Sequence, residues 1–335
     1  MTKAKVHRLD LQHLKDSLPI QFFGGLGIYV IVIILLIVGT FVSGDFLTSE
    51  NLLNIIRPVT LLGIVAVGLM FITYGGHYVD LSIPAIMALS GMVAVSTQQV
   101  GIIGSIFFGL AAGMLIGLIN GYLIGYLRLN PIIWTLAMNF MLDGLMRWST
   151  GGNQVYPDYT SDTGTIFVQL SRFDLLGVPG ITLLLAALAI VASILARHTC
   201  FGNQLQLTGS AYDVAANTGV PVRKTVLLSF LISSFTTALA GILLASLSKQ
   251  GTFKNGEGYD FNAITAVVIG GVALSGGIGT VFGVVGGVLV IGLLSNIMTL
   301  AGYGTFDQMI AKGFLFIIVV GIMAYAARRG GRDDE

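Results

Sequence analysis

The chain has 335 residues, 55% of them apolar and only 10% charged, whereas an ordinary globular domain is about one quarter charged. That balance describes an all-α, polytopic membrane protein, and 45 glycines suit it because membrane helices pack through small residues. A net charge of +1 gives no reason to invoke nucleic acid, and the single cysteine, Cys200, excludes an internal disulfide and any cysteine-based metal site.

In chain order, residues 1–20 read as a basic cytosolic segment carrying Lys3, Lys5, Arg8 and Lys15, with Leu9, Leu11, Leu14 and Leu18 spaced as in a helix lying on a membrane surface. The apolar run over 22–42 is too long for the core of a signal peptide and no A-x-A cleavage site follows it, so it reads as the first span. A helix needs about 20 apolar residues to cross roughly 30 Å of hydrocarbon. Further spans then fall near 56–74, 83–98, 102–126, 132–149, 180–197, 225–247, 263–276, 280–299 and 308–327. The count is about ten, within one transmembrane domain over 21–327, followed by a tail over 328–335. Lys3, Lys5, Arg8, Lys15, Arg128, Arg197, Arg223, Lys224, Arg328, Arg329 and Arg332 then lie inside, against Arg57, Arg147, Arg172, Lys249 and Lys254 outside. Eleven against five puts both ends in the cytosol.

Two stretches, 58–98 and 263–299, are long and apolar but broken by glycine or proline, and both breaks contain a V-x-L-S pattern, at Val79 to Ser82 and at Val272 to Ser275. An internal repeat accounts for this, and so does chance in glycine-rich membrane sequence. Broken helices in transporters lie near the solute path, since lipid cannot satisfy the freed backbone groups. Asp80 falls in the first break, just ahead of Pro84, which suits a first helical turn. Its carboxylate reads either as a cap on the amides of the following helix or as a residue of a solute path. Polar residues within spans, Asn120, Asn139, Ser275, Ser295 and Asn296, have the same two readings, interhelical hydrogen bond or solute contact. Asp143 and Arg147, four apart on one helix, read as an ion pair, and Trp134 and Phe140 as packing.

The cytosolic loop over 198–224 carries the clearest local punctuation. Ser210 with Asp213 three residues on has the form of a capping box, and Gly219 and Pro221 stop the helix they start. A helix this short does not persist alone, so it must dock on something. Val214 and Ala215 give it a small apolar surface beside Tyr212 and Ala216, rimmed by Asp213, Arg223 and Lys224.

Several stretches resemble one family. They are the "DLS" at Asp80 with "ALSG" at Ala88 to Gly91, "LRLNPIIWTLAM" at Leu127 to Met138, "FGNQLQLTGSAYDVAANTGV", "LAGILLAS" at Leu239 to Ser246, and "GEGYDFNAITAVVIGGVALSGGIGTVFG" at Gly256 to Gly283. Together they resemble the permease subunits of bacterial sugar ABC importers of the ribose, xylose and arabinose type, from about Leu52 to Ala327. The resemblance implies a multi-pass subunit of the bacterial inner membrane that is not itself an enzyme. It would pass a sugar-like solute inward from a periplasmic solute-binding protein, paired with a second permease subunit, identical or homologous. ATP-Mg would be bound by a cytosolic ABC ATPase, and no phosphate-binding loop of the glycine-lysine-Ser/Thr kind occurs in this chain.

By the same resemblance the ATPase would grip Ser210, Tyr212, Asp213, Val214, Ala215, Ala216 and Gly219. His77, Tyr78, Asp80, Ser82, Asn120, Asn139, Ser275 and Asn296 are candidates for the path, Glu257 and Asp260 for contact with the binding protein, and no residue for a metal. His77 and Tyr78 stand where the family usually has glycines, and would narrow any cavity they face or add hydrogen bonds to it. Rival readings are a branched-chain amino-acid permease of the same ABC class and an ion-coupled secondary transporter in which Asp80 or Asp143 titrates.

Overall fold

A computed structural model of the chain describes residues 27–76, 79–175 and 177–330, with side chains to 325. The expected basic segment at 1–20, the path candidates His77 and Tyr78, and the tail beyond 330 lie outside the described residues. Thirteen α-helices occur among the described residues. They are α1 (Gly27–Val42), α2 (Ser49–Tyr74), α3 (Ile83–Ser96), α4 (Gly101–Leu127), α5 (Pro131–Thr150), α6 (Asp162–Gln169), α7 (Gly180–His198), α8 (Cys200–Ser210), α9 (Tyr212–Asn217), α10 (Val222–Ser248), α11 (Tyr259–Ile269), α12 (Val281–Leu300) and α13 (Thr305–Gly330). A small hairpin, β1 (Asp174–Leu175) with β2 (Val178–Pro179), precedes α7.

Helices α2, α4, α7, α10, α12 and α13 are long and apolar enough to cross a membrane. Helix α2 is the centre: nearly every residue from Val59 to Tyr74 is buried, as befits a helix that is apolar all round. Helix α10 packs on α2, α3 and α4. Its contact with α4 has a plain cause, since Gly109, Gly113, Gly117, Gly121 and Gly125 fall at every fourth position and so on one face of α4. A Cβ on Gly121 would lie 2.9 Å from the Leu227 Cα, and one on Gly125 2.8 Å from the Arg223 carbonyl oxygen. The backbones therefore touch, as small residues permit between membrane helices.

Both expected breaks are present among the described residues, at 75–76 with 79–82 and over 270–280. The second starts sooner than hydropathy indicates. Helix α11 stops at Ile269 instead of running to 276, and Val272 is fully buried in non-helical backbone. Apolar composition reports burial there, and not helicity. The two breaks meet: the Gly277 N–H donates to the Tyr74 carbonyl at 2.9 Å, and a Cβ on Gly276 would stand 2.6 Å from the Gly76 Cα. Gly276 has φ +85°, so only glycine serves both the turn and the contact. Elsewhere, Val155 and Gly251 join two loops by paired backbone hydrogen bonds of 2.9 and 2.8 Å.

Candidate functional site

The first break holds a buried polar cluster. The backbone N–H and the hydroxyl of Ser82 both donate to Asp80 Oδ1, at 2.8 and 2.5 Å. Asn120 Nδ2 of α4 donates to the Ser82 hydroxyl at 2.9 Å, and the Trp134 indole N–H of α5 donates to Asn120 Oδ1, also at 2.9 Å. Asp80, Ser82 and Asn120 are fully buried. Trp134 is thus more than packing, because its N–H ends a chain of four polar groups drawn from the break and two helices. Phe140 is 67% exposed and faces outward from the chain.

The cap reading of Asp80 needs correction. Its carboxylate closes a turn onto Ser82 and reaches no amide of α3, while the free Ala85 N–H is taken by Asn139 Oδ1 of α5 at 3.2 Å. The Leu81 N–H is taken by Thr135 Oγ1 of the same helix at 2.9 Å. Thr135 and Asn139 are four residues apart and share one face, so α5 supplies the cap from across the interface. Pro84 lies in the first turn of α3 as expected. Asp80 Oδ2 is buried without a hydrogen-bond partner among the described residues, and the Asp260 carboxylate is near enough to act on it electrostatically.

Two further path candidates, Ser275 and Asn296, are not part of this cluster. Ser275 is exposed in the second break. Asn296 on α12 exchanges hydrogen bonds with Asn51 on α2, Nδ2 to Oδ1 at 2.8 and 3.1 Å in the two directions. Both line a cavity of about 520 Å³. Asp143 and Arg147 form the expected pair at 2.8 Å, and the Arg147 guanidinium lies 3.8 Å from the centre of the Phe253 ring. Glu257 is exposed, whereas Asp260 is half-buried in the first turn of α11.

The segment expected to meet the ATPase differs from its expected form. Ser210 ends α8, a helix formed by a stretch that had read as loop. Ala211 precedes α9 with no side-chain cap bond, so there is no capping box. The reason is contact: a Cβ on Gly209 would sit 2.7 Å from the Gly277 N, and Gln206 Nε2 donates to the Gly277 carbonyl at 3.2 Å. Small residues at 209 and 210 let the end of α8 press on both breaks. Helix α9 has six residues and stops before Gly219 at φ +85° and Pro221, as expected. Ala215 is 1% exposed and belongs to the chain's own core, so the outward surface is Val214, 52% exposed, with Asp213, Ala216 and Gly219. Tyr212 is half-buried beneath the Arg128 guanidinium, 5.6 Å from its ring centre.

The family model described as branched-chain amino acid transport system / permease component matches residues 51–323. The L-arabinose ABC transporter permease protein AraH of Azospirillum brasilense is 32% identical over 304 residues, 90% of this chain and 87% of that protein. The ribose import permease protein RbsC of Bacillus subtilis (strain 168) is 34% identical over 299 residues, 88% and 90% of the two chains. The xylose transport system permease protein XylH of Haemophilus influenzae is 28% identical over 360 residues, 89% and 96%. No solved structure matches the chain.

Proposed function

Since this chain belongs to the family of ABC-importer permease components, we propose that it carries a sugar of about pentose size into the cytoplasm as the membrane-spanning subunit of an ATP-driven importer. One observation carries the substrate class: the similarity to permeases named for arabinose, ribose and xylose extends over about nine-tenths of this chain. The family description names branched-chain amino acids, but these relatives do not favour that cargo, nor do they favour ion-coupled transport.

The reading takes ten crossings with both ends in the cytosol, six of them made by the long apolar helices. Helices α3 and α11, at 14 and 11 residues, rise only about 21 and 16 Å. Each then needs its adjoining break to complete a passage of roughly 30 Å. A second permease copy or homologue, a cytosolic ABC ATPase holding ATP-Mg, and a periplasmic binding protein that meets the face bearing Glu257 and Asp260 complete the assembly. ATPase closure would press on Val214 and its neighbours. Because α8 and α9 abut at Ala211 and the end of α8 touches both breaks, that push reaches Asp80, Ser82, Asn120 and Asn139 at the start of α3.

Uptake of radiolabelled D-ribose, L-arabinose and D-xylose tests the reading in cells expressing this chain with its ATPase and binding protein. Entry of one of them should persist under a protonophore while cellular ATP is held up, and should stop with an ATPase lacking its phosphate-loop lysine. Uptake that collapses with the proton gradient, or entry of leucine in place of the pentoses, would refute it.

A further inference from the structure

Several polar side chains outside the Asp80 cluster converge where the first half of α2 meets the second half of α12. The cavity of about 520 Å³ is bounded by α2, α11, α12 and α13, and Asn54, Asn262, Ser295, Asn296 and Lys312 all face it. Its size is within the range of small-molecule sites, about 300–1,000 Å³. Along α2 it extends from Asn51 to Leu62, eleven residues or about 16 Å, which is half the thickness of the hydrocarbon.

The lining shows hydrogen-bonding capacity left open. Asn51 and Asn296 satisfy each other, but Asn54, Asn262 and Lys312 have no side-chain hydrogen bond or ion pair among the described residues. Pro58 lies inside α2 and has no N–H, so the Asn54 carbonyl loses its intrahelical donor at the same wall. Polar groups in a membrane interior mark solute routes when they face a water-filled cavity. Amides both donate and accept, as sugar hydroxyls do, and one amine adds a strong donor. A metal ion finds no ligand set, since no cluster of three or more His, Cys, Asp or Glu occurs among the described residues. An acyl chain has a better place in the apolar hollow of about 290 Å³ lined by Phe71, Leu188, Leu228 and Phe235.

We propose that this cavity is a sugar-binding vestibule of the translocation path, in which the Lys312 amine and the amides of Asn54 and Asn262 hold the hydroxyls of a pentose-sized solute. This rests on the sugar-import reading above. The test uses the full chain with its ATPase and binding protein and the same three labelled pentoses. Lys312→Met should reach the parental membrane level yet lower uptake about tenfold, the factor carried by one charge-assisted hydrogen bond. Lys312→Arg should recover part of the loss.

The second arm uses Ser295→Cys in a Cys200→Ser background. Externally added 2-aminoethyl methanethiosulfonate should modify the Ser295→Cys thiol and block uptake. The transported pentose should slow that modification by its occupancy, about threefold at twice its half-saturating concentration. If the parental importer moves none of the three pentoses, the sugar reading fails, and the vestibule with it. If the parental importer moves one, but that pentose gives the thiol no protection, the vestibule alone is overturned. Uptake within about twofold of parental in both Lys312→Met and the modified thiol overturns it too, and failure of Lys312→Met to accumulate leaves the decision to the thiol arm.

Discussion

Asp80→Leu and Asp80→Asn separate a carboxylate that holds the break from one that carries charge through a cycle. In the parental chain Asp80 Oδ1 receives two hydrogen bonds, from the Ser82 N–H and hydroxyl, and Oδ2 receives none among the described residues. Leucine leaves both Ser82 donors in a site without solvent. At about 1–3 kcal/mol for each buried unsatisfied group, the loss is roughly 2–6 kcal/mol. Asparagine keeps an accepting oxygen where Oδ1 stands, and removing the demand of a buried carboxylate offsets the cost of an unpartnered amide N–H in place of Oδ2, so its net effect should stay within about 1 kcal/mol.

The assay is the temperature at which half of the detergent-solubilised protein leaves the monodisperse gel-filtration peak, read beside uptake. Expected is parental stability and uptake for Asp80→Asn, with a clear fall in both for Asp80→Leu. Ser82→Ala should destabilise by about 1–3 kcal/mol, because Asn120 Nδ2 then loses its acceptor. Combined with Asp80→Ala it should be non-additive, as contacting residues are. Parental stability in Asp80→Leu would refute the structural role. Normal folding with abolished uptake in Asp80→Asn would instead assign the carboxylate to charge transfer, and so favour the ion-coupled rival.

Three further outcomes are expected. Val214→Asp should insert normally but lose ATPase co-purification and uptake, whereas Ala215→Asp should fail to accumulate, because an unpaired charge at a site 1% exposed costs several kcal/mol; ATPase retention in Val214→Asp would sink the coupling surface. Gly209→Val should lower folded protein sharply, since even a Cβ there would lie 2.7 Å from the Gly277 N; a stable variant would show that the junction yields. In a Cys200→Ser background, an impermeant thiol reagent should reach Tyr159→Cys from outside and Asn217→Cys only after permeabilisation, both positions being exposed; the opposite pattern would invert the topology.

Helix positions were legible where apolar runs end on strong punctuation. The span expected near 132–149 is Pro131–Thr150, fixed by Asn130, whose Oδ1 accepts from the Ile132 and Ile133 amides at 3.0 and 3.3 Å. The run expected near 180–197 is Gly180–His198, ended by basic residues in its last turn. The five-glycine stripe of α4 is also written in the sequence, and a search for glycine at every fourth position would have found it. The cap of α3 was not legible, because Asn139 serves Ala85 only once α5 is known to cross it. Nor was the cavity under α13, because Asn54 on α2 lies more than two hundred residues before Asn262 and Lys312.

The failed capping box at Ser210 carries a physical lesson about the same junction. Ser-x-x-Asp before an apolar pair is a good local signal for a helix start, yet small residues serve a second purpose, close approach, and the two leave the same trace in one sequence. At 209–210 close approach governs: Gly76, Gly209 and Gly276 converge so tightly that a Cβ on Gly276 would stand 2.6 Å from Gly76 and 2.8 Å from Gly209. Packed backbones of this kind have no flexible side chain to absorb a displacement, and dense interiors transmit strain. A push on α9 therefore has little slack to take up before it moves the ends of α2 and α12. The convergence of Gly76, Gly209 and Gly276 gives the proposed coupling a stiff mechanical route.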